Sequence, residues 1–434
     1  MEQIYKGKKI VIMGLGLHGG GVAAARFFCS QESDVLVTDL KTEDQLADSI
    51  KKLAGLPIKY TLGGHKEEDF LTADLIVKNP DVPWSSPYIE ISKKHNIEVQ
   101  TDISLFFKLS GAFIIGVTGT KGKTTTASLI YHLLKEKFEN LFLAGNNGVS
   151  TFELLDKVRA GDKVVLELSS FELEGLDVSP NIAVVTNIMQ DHLNRYSGMQ
   201  DYIEAKKNIF KFQNFGDTLF LNEDDSIVRQ FSGEAKSKVI FFSGSKIDLS
   251  EMKIFGDHNK ANVAAAVAVA KFMEVGNSDI EKSLKTFNGP AARQEFVAEV
   301  SGVKYFNDTT ATIPEAVVAA IDAFSSRFPA AKIFLICGGV YKGVDYLEMT
   351  GRIKEKSVFV ILLPGNASEK IEEHLSDYED MVEVSSMQEA VKTASELAKA
   401  GDLVVLSPAA SSFNMFKNEF DRGNEFIKSV KSLE

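Results

Sequence analysis

Two glycine-bearing turns in this chain have the residue types and spacing to hold phosphate. The second reads Gly116-Val117-Thr118-Gly119-Thr120-Lys121-Gly122-Lys123-Thr124-Thr125. In such a loop, backbone N–H groups cradle phosphate oxygens, Lys123 reaches the β and γ oxygens, and the Thr124 hydroxyl faces Mg²⁺. The usual motif has its first glycine where Val117 stands. Here that glycine is one residue earlier, at Gly116, with another at Gly119. The loop is therefore a variant, set between an apolar strand and a helix, and it reads as a site for ATP or GTP. The first turn carries Gly14, Gly16 and Gly19 in G-x-G-x-x-G spacing, with Asp39 at the end of the next apolar run. Glycines there permit a tight turn and close approach of a diphosphate to a helix N-terminus. The same pattern also serves merely to turn the chain, and both readings stay open. Leu17 and His18 lie where ligand-facing backbone would be.

Several single residues could complete a site. Glu167 ends the apolar run VVLE, and a carboxylate at the C-terminal end of a parallel strand faces the ligand crevice. It could hold Mg²⁺ directly or through water. Asp191-His192 follows another apolar run, NIAVVTN. Lys206 lies on a predicted helix, DYIEAKKNIF, where spacing alone makes it an ordinary surface lysine. His258, Asn259 and Asn262 open a further helix, where capping is the default role. Asp308 follows a short strand in FNDTTAT. For each of these alone, a bland structural role explains the residue as well as a chemical one does.

The elements that must position these residues are strands feeding helices. Three segments share one grammar of apolar strand, glycine turn and helix: KKIVIMGLGLHGGGVAAARFF, AFIIGVTGTKGKTTTASLIYHLL and KIFLICGGVYKGVDY. Continuous apolar runs such as VLVTDL, ADLIVKNP, KVVLELSS, VFVILLPG and DLVVLSPAA fit strands buried on both faces of parallel sheets. The fold class is α/β. At 434 residues the chain exceeds one ordinary core. Boundaries near Leu109–Gly111 and Gly289–Pro290 divide it into domains 1–109, 110–289 and 290–434. Hydrophobic residues at 44% and charged residues at 25% fit a soluble globular protein. A net charge of −12 argues against nucleic acid as a main partner. The two cysteines, Cys29 and Cys337, show no metal-ligand spacing, and a reducing cytoplasm is expected. No secretory leader or membrane span is expected.

Taken together, the motifs resemble a known family. GVTGTKGKTTT, ELSSFELE, NIMQDHLNRY and GDHNKANVAAA fall in order along the chain and are similar to the Mur ligases of peptidoglycan precursor synthesis. NDTTAT, GGVYKGVDY and LSPAASSFNMFKNEFDRGNEF, with the N-terminal GLGLHGGG, resemble the branch that adds glutamate to UDP-N-acetylmuramoyl-L-alanine. The resemblance implies a Rossmann-like UDP-binding domain, a central ATPase domain and a Rossmann-like C-terminal domain for the amino acid. It implies that Gly14, Leu17, His18, Asp39 and Asn79 hold the UDP part, with Asn146 near the muramoyl group. Gly119, Thr120, Lys121, Gly122, Lys123, Thr124 and Thr125 would bind the ATP phosphates, and Asn259, Asn262, Arg293 and Asp308 the nucleotide. Thr124 and Glu167 would serve one Mg²⁺. His192 and Lys206 would serve a second, Lys206 being N-carboxylated in most of the family. Thr312, Lys342, Ser412 and Phe420 would face the amino acid. The implied chemistry moves the γ-phosphoryl group of ATP to a carboxylate, giving an acyl phosphate that the amino group of glutamate attacks. Lys123, His192 and Lys206 would be the catalytic group, and a monomer is expected.

The chain departs from the family pattern at four places. Thr310 stands where the family often has lysine. Glu419-Phe420 inverts the usual Phe-Glu order, Ala292 replaces a histidine, and Asn79-Pro80-Asp81 replaces an Asn-Pro-Gly turn. The first two fall where the amino acid is read. The expected acceptor is D-glutamate, with L-glutamate or another amino acid as the alternative.

Overall fold

The structure, a computed structural model, describes residues 4–17, 19–146, 149–191, 195–254 and 256–433. Three sheets follow one another along the chain. The first contains β1 (Lys9–Met13), β2 (Asp34–Asp39), β3 (Ile58–Leu62), β4 (Leu75–Lys78) and β5 (Glu98–Gln100), in the order β3-β2-β1-β4-β5. The second contains β6 (Phe113–Thr118), β7 (Leu141–Gly145), β8 (Lys163–Glu167), β9 (Ile182–Val185), β10 (Thr218–Asn222) and β11 (Lys238–Phe242), in the order β11-β10-β9-β6-β8-β7. The third contains β12 (Glu295–Val300), β13 (Val303–Asn307), β14 (Ile333–Cys337), β15 (Phe359–Leu362), β16 (Met381–Glu383) and β17 (Leu403–Leu406), in the order β12-β13-β17-β14-β15-β16. Every pairing is parallel except β12 with β13.

The central strands are buried because they are apolar on both faces. β1, β6 and β14 lie in mid-sheet, and helices follow each of them. Parallel strands need such crossovers, which cover both faces and leave the C-terminal strand ends open as a crevice. The chemistry-bearing turns sit at those ends: Gly14–Gly19 after β1, Gly119–Gly122 after β6, Glu167 closing β8, and Asp308 after β13.

The chain forms two compact units. One comprises residues 1–245 and 261–276 and holds the first two sheets, and the other comprises 246–260 and 277–434 and holds the third. Within the first unit a single hydrophobic cluster runs through both sheets. Phe27 and Phe28, on the helix after β1, pack against Phe152 beyond β7, with ring centroids 5.2 and 5.8 Å apart. The second unit has its own clusters on either face of its sheet. There, Arg327 donates to the carbonyl of Ser250, and Lys253 donates to Asn288 Oδ1, so 246–260 is tied into this unit. Among the described residues, no helix is long and apolar enough to cross a membrane.

Candidate active site

The loop after β6 is built around two left-handed glycines. Gly119 and Gly122 have φ of +151° and +81°, conformations that favour glycine. Gly122 caps the helix Lys123–Leu134, so the N–H groups of that helix's first turn face the loop, as phosphate binding requires. A side chain at Gly122 would collide with the Asn262 amide, and Asn262 Oδ1 accepts from Thr126 Oγ1 at 3.2 Å. The helix His258–Phe272 thus packs Asn262, buried, against the phosphate loop. Lys123 Nζ donates to the carbonyls of Gly119 (3.1 Å) and Thr120 (3.0 Å), folded back over its own loop.

Glu167 projects from the end of β8 into the same crevice. It is 1% exposed. Its Oε1 accepts from Thr124 Oγ1 at 3.1 Å and Asn146 Nδ2 at 3.3 Å, while Oε2 is buried with no hydrogen-bond partner. A buried carboxylate oxygen left without a donor is costly, and a cation beside Thr124 would satisfy it. Mg²⁺ typically takes one or two carboxylates and fills its remaining positions with water and phosphate oxygens. The donor set therefore fits Mg²⁺. Among the described residues no group of three or more His, Cys, Asp or Glu side chains is placed to hold a metal ion.

Lys206 corrects the reading from spacing. It is not a surface lysine: it is 2% exposed on the inner face of the helix Met199–Lys211. Its Nζ donates to the Gly119 carbonyl at 2.8 Å and to Thr118 Oγ1 at 3.4 Å, and lies 4.9 Å from the centre of the Tyr202 ring. Burial, and then the nearby charge of Lys123, hold its pKa well below the usual lysine value. Tyr202, one helical turn earlier, bonds through its hydroxyl to Thr120 Oγ1 at 3.0 Å. Lys121, exposed, pairs with Asp191 at 3.4 Å, and Thr125 is half-buried.

Sequence reasoning missed Asn187, two residues past β9. Its amide accepts from Lys121 N at 2.8 Å and donates to Lys121 O at 2.9 Å, clamping the loop backbone. Its signal was the one used for Glu167, a polar residue just beyond the end of a buried strand.

At the first glycine turn, Gly16 N donates to Asp39 Oδ2 at 3.2 Å, and Lys41 N donates to Asp39 Oδ1 at 2.9 Å. Asp39 is buried and braces the turn. Gly14 lies close against Asn79, whose Cβ would stand 2.9 Å from a side chain at that position. Gly14, Gly16, Asp39 and Asn79 are brought together, and Leu17 is exposed beside them. His18 and His192 lie outside the described residues.

In the second unit, Asp308 is buried after β13. It accepts from Ser407 Oγ at 2.9 Å and Gln294 N at 3.1 Å, and burial pushes its carboxyl up to about 7. Arg293 is exposed and Asn259 is buried. Two of the departures meet: Thr310 donates to the Ala292 carbonyl through both N (3.2 Å) and Oγ1 (2.9 Å). Lys342 Nζ donates to Thr312 Oγ1 at 2.9 Å. Burial lowers the Lys342 pKa, against the Glu419 carboxylate, which raises it. Ser412 Oγ is buried without a partner, whereas Phe420 is exposed.

The chain is similar to known proteins along its whole length. Three family descriptions match in succession: the Mur ligase MurD-like N-terminal domain over residues 8–101, the Mur ligase middle domain over 117–270, and the Mur ligase glutamate ligase domain over 292–410. The UDP-N-acetylmuramoylalanine–D-glutamate ligase of Roseiflexus sp. (strain RS-1) is 38% identical, with 98% of this chain and 99% of that protein covered. The enzyme of the same name from Acetivibrio thermocellus is 35% identical over 99% and 97%. Among solved structures, the fold is similar to UDP-N-acetylmuramate-alanine ligase MurC from Thermotoga maritima (TM-score 0.60, 19% identity, 98% and 100% covered). It is also similar to MurF ligase from Thermotoga maritima in complex with ADP (TM-score 0.56, 18% identity, both chains fully covered).

Proposed function

The chain belongs to the Mur ligase family, and from that premise we propose that it joins D-glutamate to UDP-N-acetylmuramoyl-L-alanine in peptidoglycan precursor synthesis, driven by ATP. The observation that carries the reading is the buried, half-satisfied carboxylate of Glu167 beside Thr124 and the phosphate loop. It gives the ATP end of the site a metal-binding polarity, and the near relatives supply the substrates.

A carboxylate is a poor acylating agent, so it must first take a phosphoryl group. Lys123 would swing from its loop carbonyls onto the β and γ oxygens, and the N–H groups from Gly119 to Thr125 would hold the phosphate chain. Thr124 and Glu167 would hold one Mg²⁺, with His192 and Lys206 at a second; when bound, these cations would offset charge on the transferring phosphoryl group. Lys206 suits carboxylation by CO₂ because that reaction needs a neutral amine, which its burial favours. The carbamate, formed with release of a proton, would place an anion beside Lys123 where the neutral amine stands. Asn259, Asn262, Arg293 and Asp308 would hold the rest of the nucleotide, and Gly14, Leu17, His18, Asp39 and Asn79 the UDP end, with Asn146 toward the muramoyl group. Thr312, Lys342, Ser412 and Phe420 would receive glutamate, whose amine attacks the acyl phosphate and displaces inorganic phosphate. Most of this is positioning of anions, and no covalent enzyme nucleophile is required.

We divide the chain at Leu109–Gly111 and Gly289–Pro290 into domains for UDP-substrate, ATP and amino acid, acting as a monomer in the cytoplasm. The test is phosphate release from ATP with UDP-N-acetylmuramoyl-L-alanine and a panel of D- and L-amino acids, with Lys123→Ala as the control. Release dependent on D-glutamate and lost in the control is expected. Release with another amino acid, but with neither glutamate isomer, would overturn the acceptor assignment.

A further inference from the structure

The turn Asn79–Pro80–Asp81–Val82 has all four of its carbonyls aimed inward at two cations. Lys78 Nζ donates to Asn79 O (3.3 Å) and Val82 O (2.9 Å). Arg195 donates through NH1 to Asp81 O (2.6 Å), and through NH2 to Pro80 O (3.2 Å) and Val82 O (3.5 Å). Lys78 is buried at the end of β4, and burial pulls it down to about 8 against the pull of the Glu174 carboxylate. Arg195 comes from the part of the chain that follows β9 of the second sheet. Its side chain is 15% exposed, sits over the Phe171 ring at 4.5 Å, and pairs with Glu174 at 3.0 Å.

A second contact locks the same turn. Trp84 Nε1 donates to the Glu174 carbonyl at 2.8 Å, and its ring lies flat against Gly175, where any side chain would run into it. Lys78 and Lys93 sit over this ring at 4.8 and 4.4 Å. With its carbonyls drawn inward, the turn presents the Asn79 side chain toward Gly14 and Gly16. Asn79 Oδ1 accepts from Asp81 N at 3.1 Å, which fixes the rotamer. Isolated turns of this length sample many conformations, and the charge-assisted bonds from Lys78 and Arg195 favour one of them.

We propose that Arg195 is a positioning residue for the nucleotide-sugar substrate: reaching from the central sheet, it clamps the Asn79–Val82 turn so that Asn79 is preset against the first glycine turn. This rests on the reading above that Gly14, Asp39 and Asn79 receive the UDP end. The hydrogen bonds, ion pair and ring contact of Arg195 go to the Asn79–Val82 turn, Glu174 and Phe171, not to the phosphate loop or Glu167, so its loss is expected to act on one substrate.

The test uses the full-length enzyme and its single tryptophan, Trp84, which lies in the clamp. Arg195→Ala is expected to raise KM for UDP-N-acetylmuramoyl-L-alanine by about 10- to 100-fold, the scale of a misplaced binding group. KM for ATP and for D-glutamate should stay within about twofold, and Trp84 emission should shift to longer wavelength as its ring loses its packing. Arg195→Lys, which can reach only part of the carbonyl set, should recover part of the loss. Glu174→Gln keeps the volume and removes the ion pair, and should move the same KM in the same direction, so a poorly folding alanine variant leaves the test intact. Variants that lower the melting temperature while all three KM values stay at the wild-type level would overturn the proposal, as would an equal rise in all three. Wild-type protein that binds the UDP substrate with an Arg195-dependent affinity but releases no phosphate would remove the ligase reading and leave the clamp standing.

Discussion

Glu167 shows what one residue's surroundings add to its type. Its place at the end of VVLE marks it as a ligand-facing acid, but only the structure shows one oxygen held by Thr124 and Asn146 and the other buried without a donor. Glu167→Gln keeps the shape and removes the charge. The Mg²⁺ concentration for half-maximal phosphate release should rise by about 10-fold or more, while the melting temperature without Mg²⁺ should hold or rise, because the buried carboxylate oxygen without a donor is gone. An unchanged Mg²⁺ requirement would count against this oxygen as a metal ligand. Asp308 makes the complementary case. Its carboxyl, ordinarily near 3.8, is raised to about 7 by burial, with Ser407, Gln294 and Arg293 pulling the other way. A raised pKa means the folded state holds the proton more tightly than the unfolded chain. Its stabilising effect is full below about pH 4 and is lost as pH climbs through about 7. Asp308→Asn should flatten this dependence: the gap in urea midpoint between about pH 5 and pH 8 should be smaller in the variant, and an equal gap would sink the assignment. Neither property is legible in sequence. Lys206 is the sharper instance, since its spacing on DYIEAKKNIF reads as surface while its neighbours in space, Thr118, Gly119 and Tyr202, bury it.

At the scale of elements, legibility followed burial. The strands buried on both faces, β1, β4, β8, β9, β15 and β17, announce themselves as apolar runs because nothing else tolerates such a position. The edge strands β3, β5 and β16 read IKYTL, EVQ and MVE, short and half-exposed. Periodicity carries little signal over so few residues, and pairing with a neighbour decides them. The glycine turns were legible for another reason: only glycine suits the backbone they need. Gly122→Ala would force alanine to φ +81° and drive its methyl into Asn262, whereas Gly161, at φ +88°, faces open space. Both substitutions should cost the roughly 1–2 kcal/mol of a left-handed alanine. Gly122→Ala should cost more in urea denaturation and should also weaken binding of a fluorescent ATP analogue. Equal losses at the two positions, with analogue binding intact in both, would mean that Asn262 does not set the loop. The clamp at Asn79–Val82 was illegible, since Arg195 and Asp81 are joined only by the folded chain and no local pattern links them.

Across the whole molecule, the division into three sheets conceals a division into two compact blocks. The first two sheets share one hydrophobic cluster, in which Phe27 and Phe28 of the first interlock with Phe152 of the second, and Trp84 and Arg195 add polar ties. The third sheet is enclosed by clusters of its own and recruits residues 246–260. Apolar burial is the dominant favourable term in folding, so sheets that share a core should unfold together and a sheet with a separate core should not be bound to follow. A single free energy of unfolding is then undefined for this chain. Trp84 lies in the first block and is the only tryptophan, so its emission reports that block alone. Far-ultraviolet circular dichroism reports helices from both. In urea, without ligands, the two probes should give non-coincident curves: one transition by tryptophan emission, and two by dichroism, of which one matches the emission midpoint. Asp308→Asn should shift the pH response of the other dichroism transition and leave the tryptophan midpoint in place, because Asp308 belongs to the second block. Superimposable curves by both probes at every pH would show instead that all three sheets unfold as one, and that the separate cores of the third sheet do not make it an independent unit.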